Sequence, residues 1–438
     1  MRHALASLAA LLIALPATAQ QQPPAVTPAP IQPAPELQRR IDDLVPLLNG
    51  RGDYGATFSP AFIGAVPKTA FDGFAHQLAA TGGMALRVDS ITPVNPWSAA
   101  IVIAYERGRA SAQIAVDPQT QQVTGLRITG MSTDEASLAE VDAQLAKLSG
   151  KTGFALAKLG KDAPEILTAH GADATFAIGS EFKLVILAEL VRGIEAGTRH
   201  WDDTVTLDGS ALPGGGYTHA PAGTKVSLHD LAERMISVSD NSAADILLKA
   251  LGREQVETML PVVGIRDFRG MTPFLGALEM FKLKGSPLGA RWASLDTAGR
   301  RAFLARDVAS MPNAAIDTAL FADGKPVLID QIEWFATPAD MIRVMDWLRR
   351  HSETGPAARV RAILGKNSGV GAEAAGHWKY LGYKGGSEPG VIAMTLLAQA
   401  KDGTWFAMSA SWNDNKSAVD EARFTGLMAR AVELAAGD

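Results

Sequence analysis

One segment in the middle of the chain constrains the fold more than any other. From Phe182 to Ile194 the residues are apolar nearly all the way round a helix, and such a helix has to lie inside a protein. Ser180 and Lys183 stand where this helix begins, and residues three apart on a helix are neighbours. Burial disfavours an ammonium charge and lowers a lysine pKa. The sequence therefore predicts a central helix that begins with a serine and a lysine able to accept the serine proton.

Length and composition narrow the class of protein. A chain of 438 residues is too long for one small core and predicts two domains. The net charge of −5 and the lack of a basic run argue against nucleic acid or an anionic membrane surface as a partner. The chain has no cysteine, which excludes disulfides and thiolate metal sites.

The N-terminus has the pattern of an export signal. Met1-Arg2-His3 is followed by a short apolar run and an A-x-A site ending at Ala19, which predicts a signal peptide over residues 1–19. Residues 20–35 are rich in proline and predict an extended linker. The apolar run is too short to cross a bilayer. We therefore expect a periplasmic or secreted protein without stable membrane insertion.

Residues 36–130 predict a small α+β domain. Helical spacing near its start gives way to four alternating segments separated by turn residues, which is typical of an antiparallel meander. In its order of elements this region resembles the cone-shaped domains related to nuclear transport factor 2 (NTF2) and ketosteroid isomerase. It holds one histidine, His76, and no suggestive pair of acids. We expect an accessory domain that acts as a partner or lid.

Residues 133–438 predict a larger α+β domain. A helix over Thr133–Leu148 precedes two short strands, and two longer strands near the end, joined at a hairpin, precede a terminal helix. Between these strands the patterns are mostly helical, including a capping-box pattern at Ser227 and a proline start after Thr337. The order predicts an antiparallel sheet flanked by helices, with an all-helical subdomain inserted.

Three short motifs occur in order within this domain: Ser180-x-x-Lys183, Ser239-Asp240-Asn241 and Lys384-Gly385-Gly386. Together they resemble the three signatures of the penicillin-recognising serine enzymes, the class A β-lactamases and penicillin-binding proteins. The resemblance covers roughly Thr133 to Asp438. It implies the β-lactamase/transpeptidase-like fold and a serine hydrolase that works through an acyl-enzyme.

The resemblance also implies a role for each motif residue. Ser180 would attack a carbonyl, Lys183 would take or relay its proton, and Ser239 would pass a proton to the leaving group. The backbone amides of Ser180 and of a residue near Ser387 would stabilise the oxyanion. The implied substrate-binding residues are Asn241, Lys384, Gly386 and Ser387, with Lys384 placed for a substrate carboxylate.

Two departures from the family pattern bear on function. Gly385 stands where the family more often has threonine or serine, although Ser387 offers a hydroxyl nearby. Class A β-lactamases carry a glutamate that activates water for deacylation, two residues before a Leu-Asn pair. Glu279 lies about where that loop belongs, but no asparagine follows it. Glu279 is either the water-activating base or an acid on a helix surface, and the sequence leaves both open.

Three functions follow from these alternatives. A working deacylation base gives a hydrolase of β-lactams or of related carboxylate-bearing esters and amides. Without one, the same site becomes a slowly deacylating covalent binder or sensor. A D-Ala-D-Ala carboxypeptidase or transpeptidase is the third possibility. The histidines show no metal-binding spacing, so we expect no metal and no cofactor, with a small molecule as the partner.

Overall fold

The structure, a computed structural model, describes residues 31–437. The predicted signal peptide and most of the predicted linker lie outside the described residues. Within the described part of the chain, none of the helices combines the length and the apolar composition that a membrane crossing requires.

The N-terminal unit packs helices against one face of a four-stranded sheet. Its elements are α1 (Pro35–Leu48), α2 (Tyr54–Thr57), α3 (Pro60–Ala65), α4 (Lys68–Gly82), β1 (Ala85–Asn95), β2 (Ser98–Tyr105), β3 (Gly108–Val116) and β4 (Val123–Ser132). The strands are antiparallel and lie in chain order, so the predicted meander is confirmed. Helix α1 buries Leu37, Ile41 and Leu44 on the side facing the core, at the spacing the sequence indicates.

The C-terminal unit is built on a five-stranded antiparallel sheet. Its strands are β5 (Lys151–Leu159), β6 (Glu165–His170), β7 (Phe176–Ala177), β8 (Thr204–Thr206), β9 (Lys225–Ser227), β10 (Phe335–Ala336), β11 (Tyr380–Glu388), β12 (Val391–Gln399) and β13 (Trp405–Asn413). The large sheet has the order β11-β12-β13-β5-β6, and the short strands form the pairs β7–β10 and β8–β9. Strands β5 and β6, from the start of the unit, therefore lie in the same sheet as β11 to β13, from its end, and β5 pairs with β13.

Helices cover both faces of this sheet and form a separate helical region. They are α5 (Leu138–Leu145), α6 (Lys183–Glu195), α7 (Leu228–Ser237), α8 (Asn241–Leu251), α9 (Arg253–Val262), α10 (Ala277–Lys284), α11 (Leu288–Ala293), α12 (Thr297–Phe303), α13 (Pro338–Arg350), α14 (Arg359–Gly365), α15 (Ala372–Gly376) and α16 (Glu421–Ala435). The predicted α+β class, with an antiparallel sheet, flanking helices and a helical subdomain, is confirmed.

Strand alternation sorts the core into two layers. On β5, Phe154 and Leu156 pack with α5 and α16 on one face, whereas Ala155 and Ala157 pack with α6 and α13 on the other. Helix α6 is buried at all but two of its positions. The central helix predicted from its apolar sequence is therefore confirmed.

Side-chain caps set where several helices begin. Ser227 and Thr337 accept hydrogen bonds from the backbone N–H groups of Asp230 and Asp340, so α7 and α13 begin where predicted. The predicted helix start at Thr133 is wrong. Ser137 caps α5 through the N–H of Glu140, and the residues just before it are not helical.

The two units are in direct contact through β4, α15 and α16. Gly130 of β4 and Gly371 before α15 approach so closely that a Cβ on Gly130 would lie 2.9 Å from the Gly371 Cα. Ser111 of β3 donates to the Glu373 carboxylate of α15 at 3.0 Å, and α16 packs against β4. The N-terminal unit is therefore held against the helices that cover the outer face of the large sheet.

Candidate active site

A tight turn at the start of the central helix presents Ser180. Residues Gly179–Phe182 form a 3₁₀ turn that continues directly into α6 at Lys183. In a 3₁₀ turn residues three apart are eclipsed, so the Ser180 and Lys183 side chains lie on one side. Gly179 has a φ of +49°, a conformation that favours glycine. The sequence predicted a helical first turn, and the tighter turn aligns the two side chains more closely.

Lys183 lies at the centre of a hydrogen-bonded cluster and is fully buried. Its Nζ is 2.9 Å from Ser180 Oγ, 3.1 Å from Ser239 Oγ, 2.6 Å from the Ser239 carbonyl oxygen and 2.7 Å from Asn241 Oδ1. The first two motifs thus meet at one nitrogen atom, Lys183 Nζ. In the sequence, their first residues, Ser180 and Ser239, are 59 positions apart.

Burial lowers the pKa of Lys183 to about 6, and the Lys384 charge lowers it further while Asp245 and Asp240 oppose the change. At neutral pH Lys183 is therefore an amine with two hydrogens and one lone pair. The Ser239 carbonyl and Asn241 Oδ1 can only accept hydrogen bonds, so they take both hydrogens. The lone pair is left for a hydroxyl hydrogen, and Ser180 Oγ is the nearer of the two hydroxyl oxygens. The cluster thus prepares Lys183 to accept the Ser180 proton.

Ser239 is held in a strained turn before α8. Its φ of 57° is rare for a residue other than glycine, and such strain persists only where the surroundings fix it. The buried Asp240 does so by accepting hydrogen bonds from the Gly216 N–H at 2.7 Å, the Ala243 N–H at 3.0 Å and Arg234 at 3.1 Å. Burial raises the Asp240 pKa, but these hydrogen bonds outweigh it and hold the pKa below its usual value.

The third motif lies on β11 and brings a second lysine to Ser239. Lys384 is buried, and its Nζ donates to Ser239 Oγ at 3.0 Å and also to the Gly385 carbonyl. Burial lowers the pKa of Lys384 to about 8, and Glu181 opposes this change. Ser239 therefore lies between two lysine nitrogens, one an amine and the other largely an ammonium at neutral pH.

Strand β11 passes against the turn that carries Ser180. A Cβ on Gly386 would lie 2.2 Å from the Ile178 carbonyl oxygen and 2.3 Å from the Ser180 nitrogen. On the other side, a Cβ on Gly179 would lie 3.1 Å from the Ser387 nitrogen. Only glycine permits this approach, which places the backbone amides of Ser180 and Ser387 on adjoining segments beside the Ser180 hydroxyl.

These residues open into a cleft of about 330 Å³. Its wall includes Ser180, Ser239, Lys384 and Gly386, as well as the exposed Ser387. Three further polar residues also line the cleft: Asn367, Tyr383 and Glu421. A small molecule can therefore reach Ser180 Oγ with Lys384 beside it.

The structure does not bring Glu279 into this cluster. Arg253 binds its two carboxylate oxygens at 2.7 and 3.0 Å, and the carboxylate also accepts the Gly276 N–H at 2.8 Å at the start of α10. Within residues 31–437 no carboxylate oxygen lies within 4.0 Å of Lys183 Nζ. Glu279 thus has the contacts of a helix-capping acid, which favours the helix-surface acid of the two roles that the sequence left open.

Three polar residues near the cluster were missed by the sequence analysis. Glu181 follows the nucleophile and is fully buried, Tyr383 precedes Lys384, and Asp245 lies one helical turn after Asn241. Asp245 accepts the N–H groups of Ala277 and Leu278 at 2.7 and 2.9 Å. An acid placed directly before the apolar run was a usable signal for Glu181. The spacing from Asn241 could have indicated Asp245.

No group of three or more histidine or acidic residues is placed to hold a metal ion in the part of the chain that the structure describes. The polar groups of the cluster at the cleft are two serine hydroxyls, two lysine side chains, one asparagine amide and backbone N–H groups. These are the parts that acyl transfer to a serine needs.

Comparison with known proteins identifies a family. Residues 136–367, just over half of the chain, match the model of a family described as "Beta-lactamase enzyme family". No curated protein matches the chain.

Similar solved structures cover about two thirds of the chain. A β-lactamase from Sphaerobacter thermophilus is 22% identical, with a TM-score of 0.47, over 69% of this chain and 98% of that one. A β-lactamase from Chitinophaga pinensis is 15% identical, with a TM-score of 0.46, over 68% and 97%. A mutant of PBP-A, solved as an acyl-enzyme complex with penicillin G, is also 15% identical, with a TM-score of 0.46, over 69% and 97%.

Proposed function

Because this chain belongs to the β-lactamase enzyme family, we propose that it hydrolyses β-lactams, or related esters and amides, through an acyl-enzyme on Ser180. The contact of 2.9 Å between Ser180 Oγ and Lys183 Nζ carries this proposal. In that contact a serine faces a buried amine whose two hydrogens are already engaged. This arrangement supports Ser180 as the nucleophile and Lys183 as its base.

The proposed reaction uses the cluster in sequence. Ser180 Oγ attacks the substrate carbonyl carbon while its proton moves to Lys183 Nζ, and the backbone amides of Ser180 and Ser387 hold the oxyanion. The carbonyl–nitrogen or carbonyl–oxygen bond then breaks, and Ser239 delivers a proton to the leaving atom. Lys183 replaces that proton, which returns it to the amine form. Lys384 faces the substrate carboxylate and keeps Ser239 oriented.

Intact-protein mass spectrometry over time, after mixing with nitrocefin or a fluorescent penicillin, tests this proposal. We expect an adduct of one acyl group that forms on the wild-type protein and then clears with release of hydrolysed product. Ser180→Ala should show neither, while keeping the fold as judged by circular dichroism. An adduct that persists in Ser180→Ala would refute the assignment of the nucleophile.

The contacts of Glu279 favour a second candidate, a slowly deacylating covalent binder or sensor. Arg253 and the α10 N-terminus occupy both Glu279 oxygens, so this acid is not free to activate water. In the same mass spectra, an adduct that forms fully and does not clear would support the binder. Activity on cell-wall peptides ending in D-Ala-D-Ala would instead identify a carboxypeptidase.

We also infer export and an accessory role for the N-terminal unit. The pattern of residues 1–19 supports cleavage near Ala19, which N-terminal sequencing of the mature protein would test. The order of helices and strands in residues 35–132 supports the NTF2-like interpretation. We propose that this unit acts as a partner or lid for the serine hydrolase unit.

A further inference from the structure

One short segment of the C-terminal unit touches both the cleft and the N-terminal unit. Residues 366–371 connect α14 to α15 as irregular backbone. At one end Asn367 lines the cleft, and at the other end Gly371 lies against Gly130 of β4. The two contacts are four residues apart along the chain. A shift of β4 against this segment can therefore reach the wall of the cleft.

The side-chain amide of Asn367 is held in one orientation. Its Oδ1 accepts the Gly369 N–H at 3.0 Å, and its Nδ2 donates to the Ser237 carbonyl at 3.2 Å, two residues before Ser239. Because the nitrogen only donates and the oxygen only accepts, these two bonds fix the orientation of the amide. The nitrogen carries two hydrogens, and within the described residues the Ser237 carbonyl takes one of them. The second hydrogen is left for an acceptor atom of a molecule in the cleft.

The N-terminal unit supports the other end of the segment by direct backbone packing. A Cβ on Gly130 would lie 2.9 Å from both the Gly371 Cα and the Val370 carbonyl oxygen. Gly371 has a φ of +87°, a conformation that favours glycine. Ser111 of β3 adds a hydrogen bond of 3.0 Å to Glu373, the second residue of α15. Two strands of the N-terminal unit therefore fix the end of the segment that is farther from the cleft.

The middle of the segment packs behind the cleft wall. Gly369 has a φ of +69°, and a Cβ at this position would lie 2.5 Å from the Tyr383 ring. Tyr383 lines the cleft and packs against the hydrophobic cluster that buries Val370. The backbone between Gly371 and Asn367 is thus confined on both sides. A displacement of Gly371 is therefore passed to Gly369, whose N–H holds the Asn367 amide.

We propose that Asn367 is a substrate-binding residue and that the N-terminal unit positions it through the packing of β4 on Val370 and Gly371. Asn367 donates to an oxygen of the substrate, on the side of the cleft where Ser237 leads to Ser239. The N-terminal unit is then a support for one wall of the cleft. This inference rests on the proposed function, because it assigns Asn367 to the substrate that acylates Ser180.

Acylation by a fluorescent penicillin, followed over a range of penicillin concentrations, tests this inference. Gly130→Ala should push the two backbones apart by about 0.5 Å, since ordinary contacts are about 3.5 Å. The concentration that gives half of the maximal acylation rate should rise about tenfold, as it should in Asn367→Ala, because a hydrogen bond to the substrate is lost. The maximal rate constant should stay within about twofold of wild type in both variants, because neither change touches Ser180 or Lys183.

The double variant Gly130→Ala/Asn367→Ala separates positioning of Asn367 from general damage. Without the Asn367 side chain, Gly130→Ala has no amide left to displace, so the double variant should need the same penicillin concentration as Asn367→Ala, within about twofold. Losses that instead multiply to about a hundredfold would overturn the inference.

Gly125→Ala, on the same strand, is the matched control. A Cβ at this position would lie at an ordinary 3.7 Å from the Ala115 Cβ, so the variant should acylate like wild type. A half-maximal concentration that is unchanged in Gly130→Ala, or a fall in its maximal rate constant alone, would overturn the inference.

Hydrogen exchange read by mass spectrometry tests the positioning of Asn367 without acylation. If wild type forms no adduct, the proposed function is overturned, but this measurement still applies. The Gly369 N–H, which binds Asn367 Oδ1, should exchange at least about threefold faster in Gly130→Ala than in wild type or Gly125→Ala. Ser111→Ala removes a hydrogen bond from the same contact and should act in the same direction if Gly130→Ala does not fold. Equal exchange in wild type and these variants would overturn the inference.

Discussion

The close approach of β11 to the turn that carries Ser180 gives the sharpest test of the site geometry. Replacing Gly386 with alanine adds one methyl group, which would lie 2.2 Å from the Ile178 carbonyl oxygen and 2.3 Å from the Ser180 nitrogen. Ordinary non-bonded contacts are about 3.5 Å, so the two segments must separate by about 1 Å. Both contacts are to backbone, so no side-chain rotation can relieve the clash.

The expected losses follow from this displacement. Overpacking of this kind lowers the free energy of unfolding by about 1–3 kcal/mol. Each kcal/mol lowers Tm by about 2–4 °C in a domain of this size. The displacement also moves the Ser180 and Ser387 amides away from the position of the oxyanion. A misplacement of about 1 Å can cost about 100-fold in rate, so we expect acylation to slow by about that factor.

Two measurements on one protein sample check this prediction: Tm by calorimetry and the acylation rate by stopped-flow fluorescence with a labelled penicillin. Gly376→Ala is the matched control, because a Cβ at this exposed end of α15 meets nothing within 4 Å. It should leave both quantities near their wild-type values. A Gly386→Ala protein that acylates within twofold of wild type would refute the described packing of β11 on the turn.

Three further predictions follow from other contacts. Below its pKa of about 6 Lys183 becomes protonated and can no longer act as the proposed base, so the acylation rate should fall about tenfold per pH unit below pH 6. An acylation rate that does not change from pH 7 to pH 4 would contradict this. A Cβ on Gly385 would lie 2.0 Å from the Tyr383 hydroxyl, so Gly385→Thr should slow acylation and added Tyr383→Phe should restore part of the loss, as measured by stopped flow. Glu279→Gln breaks the ion pair with Arg253 and should lower the free energy of unfolding by about 1–3 kcal/mol without changing the deacylation rate. Arg253→Gln breaks the same ion pair and should have the same two effects. Slower deacylation in Glu279→Gln alone would instead identify Glu279 as the base.

Local sequence patterns predicted much of the fold, because the signals that set it are themselves local. The apolar run of α6, the caps at Ser227 and Thr337 and the hairpin after β12 each depend on neighbouring residues. The start of α5 was predicted too early, at Thr133. Ser137 caps the helix, but the residues before it also fit a helical pattern, which hid this signal.

The order and spacing of the three motifs indicated which residues to consider together, but not the contacts that they make. Spacing showed that Lys183 could reach Ser180, whereas nothing in the sequence indicated that it also meets the Ser239 carbonyl. Glu181 was overlooked because its complete burial results from tertiary packing that the neighbouring residues in the sequence do not reveal. The contact between Glu279 and Arg253 joins two helix starts through tertiary packing, which explains why the sequence left the role of Glu279 open.

The buried amine of Lys183 affects any attempt to make this protein more resistant to heat. In the unfolded chain the lysine carries its charge up to a pKa of 10.5, whereas in the folded chain it gives up the proton above about 6. Between these values the unfolded state binds the extra proton, so stability falls as the pH is lowered from 10.5 toward 6. An apolar residue of similar length at this position would remove that dependence, and with it the base of the proposed mechanism. If the proposed mechanism holds, a laboratory selection for heat resistance alone would therefore enrich proteins that no longer acylate, so each round also has to select for acylation.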